Sequence, residues 1–345
     1  MTDSNNNGTP DFEKLSKVEK FKYESQGLYG PIADEFVDRE KVAFGQESIQ
    51  LLKHHGTYQQ DNRDVRRERR KAGLDKAYSM MIRTKTPGGL MTPEQYALCD
   101  DLATKYGQDD LRITSRQGFQ FHGVLKGNLR NLIHDLNQLQ NITTRGACGD
   151  VVRNVTSSSV SDVDARFAKI KEDLFDLYKK LSTHFLPQAS SYFDLWLDDE
   201  KVEVGEDGSV YYKEKGPSKI IEEPIYGQQY LPRKFKIGIT ADVDNSCDIF
   251  TNDVGILAKT ENGEIVGYEI LVGGGLGHSH SKSETYARLA TPLTYVENAD
   301  EVLPIVEGVV KAQRDHGDRE KRHQARLKYT VDRMGDDFKK AVEGH

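Results

Sequence analysis

An α+β fold is what this 345-residue sequence predicts, and three observations carry that prediction. Strand-like apolar runs such as Tyr78-Ser79-Met80-Met81-Ile82-Arg83 alternate with longer segments whose apolar residues recur at helical spacing. The order in the first half is strand, helix, strand pair, helix, which places helices on one side of a small sheet. The second half repeats the mixture, with strands at 234–241, 254–260 and 265–272.

Composition bounds what the chain can be. A content of 36% apolar residues supports ordinary cores, while a mean hydropathy of -0.68 implies a very polar surface. No stretch has the continuous apolar length that spans a bilayer, and the N-terminus lacks a secretory h-region, so a cytoplasmic location is expected. A net charge of -7 argues against a dedicated nucleic-acid binder. Residues 63–71 are the local exception, with Arg63, Arg66, Arg67, Arg69, Arg70 and Lys71 diluted by Asp64 and Glu68. That run reads as a solvated helical face, a docking surface for an acidic partner, or contacts to an acidic cofactor. Cys99, Cys148 and Cys247 are too dispersed for a disulfide framework or a local zinc or iron–sulfur pattern.

The elements follow in order. Residues 1–15 are expected to be a disordered tail, because Met1 to Pro10 offer almost nothing to bury. Residues 16–76 read as an extended, partly helical lead-in, 77–157 as a first half-domain and 158–345 as a larger α/β domain. After the strand at 78–85, Pro87-Gly88-Gly89 supplies a turn, and Thr92 before Pro93 and Glu94 caps a helix that stops at Gly107. Strands at 111–115 and 119–124 precede a helix with Leu129, Leu132, Ile133, Leu136 and Leu139 on one side. Ser161 with Asp164 resembles a capping box for a helix whose stripe is Val163, Phe167, Ile170, Leu174, Leu177 and Leu181. Residues 191–198 look like a strand and 199–219 like a protruding hairpin or loop. Helical patterns lie near 282–291, at 301–315 with Pro304 early, and at 328–342.

Several polar residues stand where bland solvation is a strained explanation. Alternation along 234–241 puts Phe235, Ile237 and Ile239 on one face and Lys234, Lys236, Gly238 and Thr240 on the other. The two lysines then project together, about 7 Å apart along the strand, and in a cleft they would need an anion to offset their repulsion. Arg153 among Val151, Val152 and Val155 remains charged even in an interior, so it requires a carboxylate, a bound anion or an escape to solvent along its stem. Arg83 poses the same question. Gln120 and His122 point away from Phe119 and Phe121, beside Arg116 in the preceding connection; a satisfied structural histidine and a site histidine both fit His122. Gly273, Gly274 and Gly275 end an apolar strand, where they form a plain turn or let a large ligand come close. His278 and His280 lack a third metal ligand in the sequence nearby.

Taken together, seven segments resemble the nitrite and sulfite reductase family, closest to the N-terminal portion of the ferredoxin-dependent sulfite reductases. They are HGTYQQDNRD at 55–64, MIRTKTPGG at 81–89, LRITSRQGFQFHGVLKGNLR at 111–130, TRGACGDVVRNV at 144–155, EEPIYGQQYLPRKFKIGI at 222–239, LVGGGLG at 271–277 and QRDHGDRE at 313–320. The resemblance implies a ferredoxin-like half-domain followed by a sulfite-reductase-type α/β domain, with the second half of the family fold absent. It implies six-electron reduction of sulfite to sulfide on sirohaem joined to a 4Fe-4S cluster. In that resemblance Arg83, Arg153, Lys234 and Lys236 hold sulfite, while Arg116, Gln120, His122, Asn154, Gly273, Gly274 and Gly275 line the cofactor pocket. Ferredoxin is the implied electron donor, ahead of a flavoprotein subunit.

Two departures qualify it. Gly118 stands where the family commonly has threonine, which suggests a lost local hydrogen bond and a more permissive loop. The cluster cysteines of the family have no counterpart, so the chain is expected to be a truncated or proteolytic product or one piece of a split enzyme, inactive without its missing half or a companion chain. Nitrite reduction, a non-catalytic anion-binding or docking fragment, and nucleic-acid binding through residues 63–71 are the competing readings.

Overall fold

The computed structural model describes residues 11–159, 168–197, 202–204, 210–212 and 223–345. Along the chain run α1 (Lys17–Glu24), α2 (Ile32–Val37), α3 (Gln46–Leu51), β1 (Thr57–Asp61), α4 (Arg66–Lys71), β2 (Tyr78–Arg83), α5 (Pro93–Tyr106), β3 (Leu111–Ile113), β4 (Phe119–Val124) and α6 (Leu129–Gln140). They are followed by β5 (Thr156–Ser157), α7 (Ala168–His184), α8 (Ser190–Trp196), β6 (Val202–Val204), β7 (Val210–Tyr212), β8 (Ile237–Ala241), β9 (Val254–Glu261), β10 (Glu264–Val272), β11 (Thr291–Val296), α9 (Ala299–His316), α10 (Leu327–Met334) and α11 (Asp337–Glu343). These elements divide between two units, each assembled from separated stretches of chain. One draws on Met1–Glu24, Asp150–Phe185 and Pro224–His345, the other on Ser25–Gly149 and Leu186–Glu223.

The unit containing Ser25–Gly149 is built on an antiparallel sheet of order β1-β2-β4-β3. Met80, Ile82, Phe121 and Val124 are fully buried from the sheet, as are Leu132, Ile133 and Leu136 from α6. Thr92 Oγ1 accepts from the Gln95 amide at 3.2 Å, and Gln95 Oε1 in turn accepts from the Thr92 amide at 3.1 Å. That reciprocal cap, with Pro93 at the first helical position, starts α5 where the sequence places it. Leu139, expected on the buried stripe of α6, lies in its last turn and is 59% exposed.

Of the strand expected at 191–198, the described residues 191–197 are not a strand. Through Trp196 they are helical, and Ser191, Tyr192, Leu195 and Trp196 are buried while Phe193 faces out. That i, i+1, i+4, i+5 pattern is a helix face, and packing overrides the strand preference of the aromatic residues. Tyr192 accepts from the Thr144 amide at 3.2 Å, and Trp196 donates its indole N–H to His55 Nδ1 at 2.8 Å. Burial, with the neighbouring His54, pushes the His55 imidazole down to about 3, so it stays neutral and can accept.

In the other unit the sheet has the order β11-β10-β9-β8-β5. The pairs β5–β8 and β8–β9 are parallel, and β9–β10 and β10–β11 are antiparallel. Asn262 and Gly263, both at positive φ, close the β9–β10 hairpin. Ile249, Leu257, Leu271 and Ala290 form one cluster of its core. On α7, Ile170, Leu174, Leu177 and Leu181 are buried as their spacing predicts. The capping pair Ser161 and Asp164, with Val163 and Phe167, lies outside the described residues, as do residues 1–10 of the expected tail. Of the protrusion expected at 199–219, the antiparallel pair β6–β7 is described.

Two further expectations are corrected here. Residues 282–290 are turns and an isolated bridge instead of a helix, with Arg288 and Gly275 exchanging backbone bonds of 2.7 and 3.1 Å before β11 begins at Thr291. Pro292 cannot donate to a ladder, which suits β11 as the edge strand. The terminal helix at 328–342 is two helices, because Gly335 at φ +56 breaks the hydrogen-bond run between α10 and α11.

Trp196 is the only tryptophan of the chain, so its fluorescence reports on this unit. Trp196→Phe leaves His55 Nδ1 buried without its donor and is expected to cost about 1–3 kcal/mol in urea unfolding. Because the His55 pKa is depressed on folding, the unfolded state binds more protons between about 6.5 and about 3, and the unfolding midpoint should fall as pH is lowered through that window.

Candidate functional site

A cluster of positive charge forms where the chain enters β8. Phe235 bridges Val152 in parallel fashion, and the Arg153 amide donates to the Phe235 carbonyl at 2.9 Å. This pairing sets Arg153 beside the segment Arg233-Lys234-Phe235-Lys236. Phe235, Ile237 and Ile239 are buried as alternation requires, but Gly238 and Thr240 are buried as well, since β8 lies inside the sheet. Only Lys234 and Lys236, ahead of the strand proper, remain half-buried.

Burial, and after it the cations Arg153, Lys236, Arg233 and Arg326, pulls the Lys234 ammonium down to about 8. Burial and Arg322 hold Arg233 below its usual range, with Asp150 opposing them. Two buried acids organise the cluster. Asp253, fully buried, accepts from Arg326 Nη2 at 2.8 Å through each carboxylate oxygen and from the Lys236 amide at 3.0 Å. Asp150 takes Arg322 in a fork of 2.9 and 3.1 Å and also faces Lys22 at 3.5 Å. The groups that act most on Lys234 are all positive, so the cluster suits a small anion.

The glycine run meets this cluster. Gly273 sits at φ +81 and donates to the Asp253 carbonyl at 2.8 Å. A Cβ on Gly274 would lie 2.3 Å from the Phe250 carbonyl oxygen, and one on Gly275 2.7 Å from Arg326 Nη1. In this chain the glycines make room for its own backbone and for the guanidinium held by Asp253. Asn154 is buried close by in sequence to Arg153.

The second group is in the other unit, on adjacent strands. Arg83 ends β2 opposite Gln120 of β4. With the Gln120 amide oxygen turned toward it, Arg83 donates from Nε at 3.1 Å and also from Nη2, while the amide nitrogen donates to His122 Nε2 at 3.1 Å. His122 must accept, which requires the neutral ring. Burial first, then Arg112, and Arg83 to a lesser degree, lower its pKa in keeping with that role, against Asp110. Arg116 lies half-buried in the β3–β4 connection, its amide donating to Thr114 Oγ1 at 3.2 Å. Gly118 is no permissive hinge: a Cβ there would lie 2.6 Å from the Thr84 carbonyl oxygen. The loop instead packs tightly, with Phe119 donating to Thr84 Oγ1 at 2.9 Å.

Of the basic run at 63–71, residues Arg66–Lys71 form helix α4 between β1 and β2, at the opposite end of that hairpin from Arg83. Arg66 forks onto Asp61 at 2.6 and 2.8 Å, and Arg69 binds the Asp75 carbonyl at 2.6 Å. His278 and His280 are exposed, and among the described residues no group of three or more His, Cys, Asp or Glu is placed to hold a metal ion. Sequence reasoning missed Asp150, Asp253, Arg233 and Arg326. Arg233 was visible as the neighbour of Lys234, and Asp253 as an acid opening an apolar strand; Arg326 gave no comparable signal.

Two family descriptions match this chain: a nitrite/sulfite reductase ferredoxin-like half domain over residues 74–139, and a nitrite and sulphite reductase 4Fe-4S domain over 178–345. The chain belongs to the nitrite and sulfite reductase family. It is 45% identical over 320 residues to the NADPH sulfite reductase subunit beta of Schizosaccharomyces pombe, covering 92% of this chain and 21% of that protein. It is 41% identical over 326 residues to the NADPH sulfite reductase hemoprotein beta-component of Anoxybacillus flavithermus, covering 94% and 54%. The chain thus spans about half the length of such bacterial relatives and about a fifth of the yeast one. Among solved structures, the Mycobacterium tuberculosis NirA protein aligns with TM-score 0.67 at 19% identity, over 96% of this chain and 53% of that one. Dissimilatory sulfite reductase I aligns with TM-score 0.52 at 13% identity, over 97% and 90%. At such identities the likeness is one of fold.

Of the two cofactors the family resemblance implies, the cluster does not fit this chain's own ligands. A four-cysteine set cannot be made from three cysteines, of which Cys99 and Cys148 are buried in one unit and Cys247 lies in the other. A polycarboxylate macrocycle does fit the chemistry of the basic residues, Lys234 above all.

Lys234 yields a test without any cofactor. The protonated amine binds anions, so affinity for sulfate should fall as pH rises through about 8, measured by calorimetry. Arg153→Met, by removing the largest charge repulsion, should raise the Lys234 pKa, read from the titration of its labelled ε-carbon.

Proposed function

We propose that this chain serves a sirohaem-dependent assimilatory sulfite reductase, with Arg83, Arg153, Lys234 and Lys236 holding the substrate oxyanion. The observation that carries the reading is the half-buried ammonium of Lys234, surrounded by cations and lowered to about 8. Sulfite carries up to two negative charges, and oxygen gains charge as each S–O bond breaks. Fixed cations in a partly dry site stabilise that development more than water does. A lysine whose pKa lies near working pH is also a fitting proton donor to a departing oxygen.

Bound sirohaem supplies the redox chemistry, and the polypeptide supplies binding, orientation and field. Arg116, Gln120, His122 and Asn154 are the proposed pocket residues, together with Gly273, Gly274 and Gly275, which let the backbone fold closely around Asp253 and Arg326. Gln120 holds Arg83 in position through its amide oxygen, and neutral His122 fixes that amide. Asp253 does the same for Arg326.

The names of the relatives favour sulfite over nitrite, and an NADPH-linked donor over the ferredoxin expected from sequence. Among the described residues no helix is long and apolar enough to cross a membrane, in keeping with a cytoplasmic enzyme.

The test is sulfide production from sulfite by the sirohaem- and cluster-loaded enzyme containing this chain. Lys234→Met should lower kcat by about 10²–10³-fold, the range for losing one charge-stabilising donor, with sirohaem absorbance retained. Turnover of nitrite in place of sulfite, or an unchanged rate in Lys234→Met, would overturn the assignment.

A further inference from the structure

Arg83 is held by an amide that has two ways to sit. Gln120 stands opposite Arg83 across β2 and β4, and His122 lies two residues further along β4, so the three half-buried side chains share one face. The end atoms of an amide exchange places by a half-turn about one bond, with nothing else displaced. In either position one of them lies 3.1 Å from His122 Nε2 and the other faces the Arg83 guanidinium. The geometry therefore accepts two hydrogen-bond patterns of opposite polarity. With oxygen toward the guanidinium, Arg83 Nε donates to it at 3.1 Å and the amide nitrogen donates to a bare Nε2. With oxygen toward the ring, Nε2–H donates at 3.1 Å, and the amide nitrogen, itself a donor, meets the N–H groups of Arg83. The second pattern takes that acceptor away from Arg83.

One proton decides between them. In the first pattern the neutral ring carries its hydrogen on Nδ1, which leaves Nε2 as its basic atom. A proton arriving at the ring lands on the atom that accepts from Gln120, breaks that bond and favours the half-turn. Burial is the first cause that lowers the His122 pKa; Arg112 of β3, and Arg83 of β2 to a lesser degree, act the same way, against Asp110 just before β3. Asp110 is drawn to Arg112 at 3.6 Å and accepts from Gln108 at 3.1 Å. The Arg83 contribution is reciprocal: what Arg83 does to the proton on the ring, that proton does to Arg83.

We propose that His122, Gln120 and Arg83 form a proton-operated relay: the neutral ring fixes the amide and the amide holds the guanidinium for an oxyanion, whereas protonation of the ring turns the amide and releases the guanidinium. His122 and Gln120 are then positioning residues that act through Arg83. The relay rests on the reading of Arg83 as a substrate-holding residue, and all of its contacts lie within one unit.

The test is NMR of the 345-residue chain with labelled arginine Nε and imidazole nitrogens, without cofactor or sulfite, titrated downward from about pH 8 through the His122 midpoint. The neutral His122 ring should be the Nδ1–H tautomer. As it takes up its proton, the Arg83 Nε–H resonance should shift and lose protection from solvent exchange with the same midpoint. Gln120→Glu places a carboxylate between the two cations, which should raise the His122 midpoint by about a unit or more and keep Arg83 held throughout. His122→Gln should leave the Arg83 resonance flat over the same range. An Nε2–H tautomer in the neutral ring would overturn the relay, and so would an Arg83 resonance indifferent to the His122 titration. Both are read on wild type and decide the matter even if the variants fail to fold. Neither involves turnover, so the sulfide assay on Lys234→Met separates failure of the relay from failure of the proposed function.

Discussion

The grip of Asp253 on its surroundings is the constraint from which the cation cluster follows. Its carboxylate is fully buried at the start of β9, where it accepts both the guanidinium of Arg326 and the amide of Lys236, and its carbonyl accepts from Gly273. One acid thereby fixes the entry to β8, the exit from β10 and the start of α10. A buried carboxylate is tolerable only with such complete pairing. The pairing also explains how several positive groups remain together: Arg326 is neutralised locally by Asp253, as Arg322 is by Asp150. Removing the Asp253 charge would strand Arg326 and loosen Lys236 together.

A similar division of labour holds in the other unit. Gln120 is an uncharged adaptor, presenting oxygen to a guanidinium and nitrogen to an imidazole. The arrangement works only while His122 is neutral, and the neighbouring arginines help keep it so. Among the described residues, Arg83 is thus oriented by an amide and not by an acid that would cancel its charge.

Much of this was legible in the sequence where local rules and packing agree. The Thr92-Pro93 cap, the stripe of α7 and the hairpin at Asn262-Gly263 each carry a local signal that the fold obeys. Arg153 and the lysine pair stood out because charge among apolar neighbours demands a reason. The failures have physical causes. Residues 191–196 have strand-forming aromatics, but Tyr192 and Trp196 find Thr144 and His55 only through a helical face. Residues 282–291 carry a helical pattern, yet Arg288 is pinned to Gly275 across the chain. Asp253, Asp150 and Arg326 act through partners distant in sequence, so alternation and spacing carried no trace of their roles.

The discontinuity of the units bears on how the molecule comes into being. Glu19 and Arg319 pair at 2.5 Å across a separation of 300 residues, and Lys22 reaches the Leu231 carbonyl at 2.7 Å. As the polypeptide emerges from the ribosome, α1 must therefore wait, with Glu19 and Lys22 still hydrated, for almost everything downstream. Ser25–Gly149 needs only the stretch ending at Glu223 and can settle earlier. Loop-closure entropy falls on that late pairing of α1 with Arg319 and Leu231.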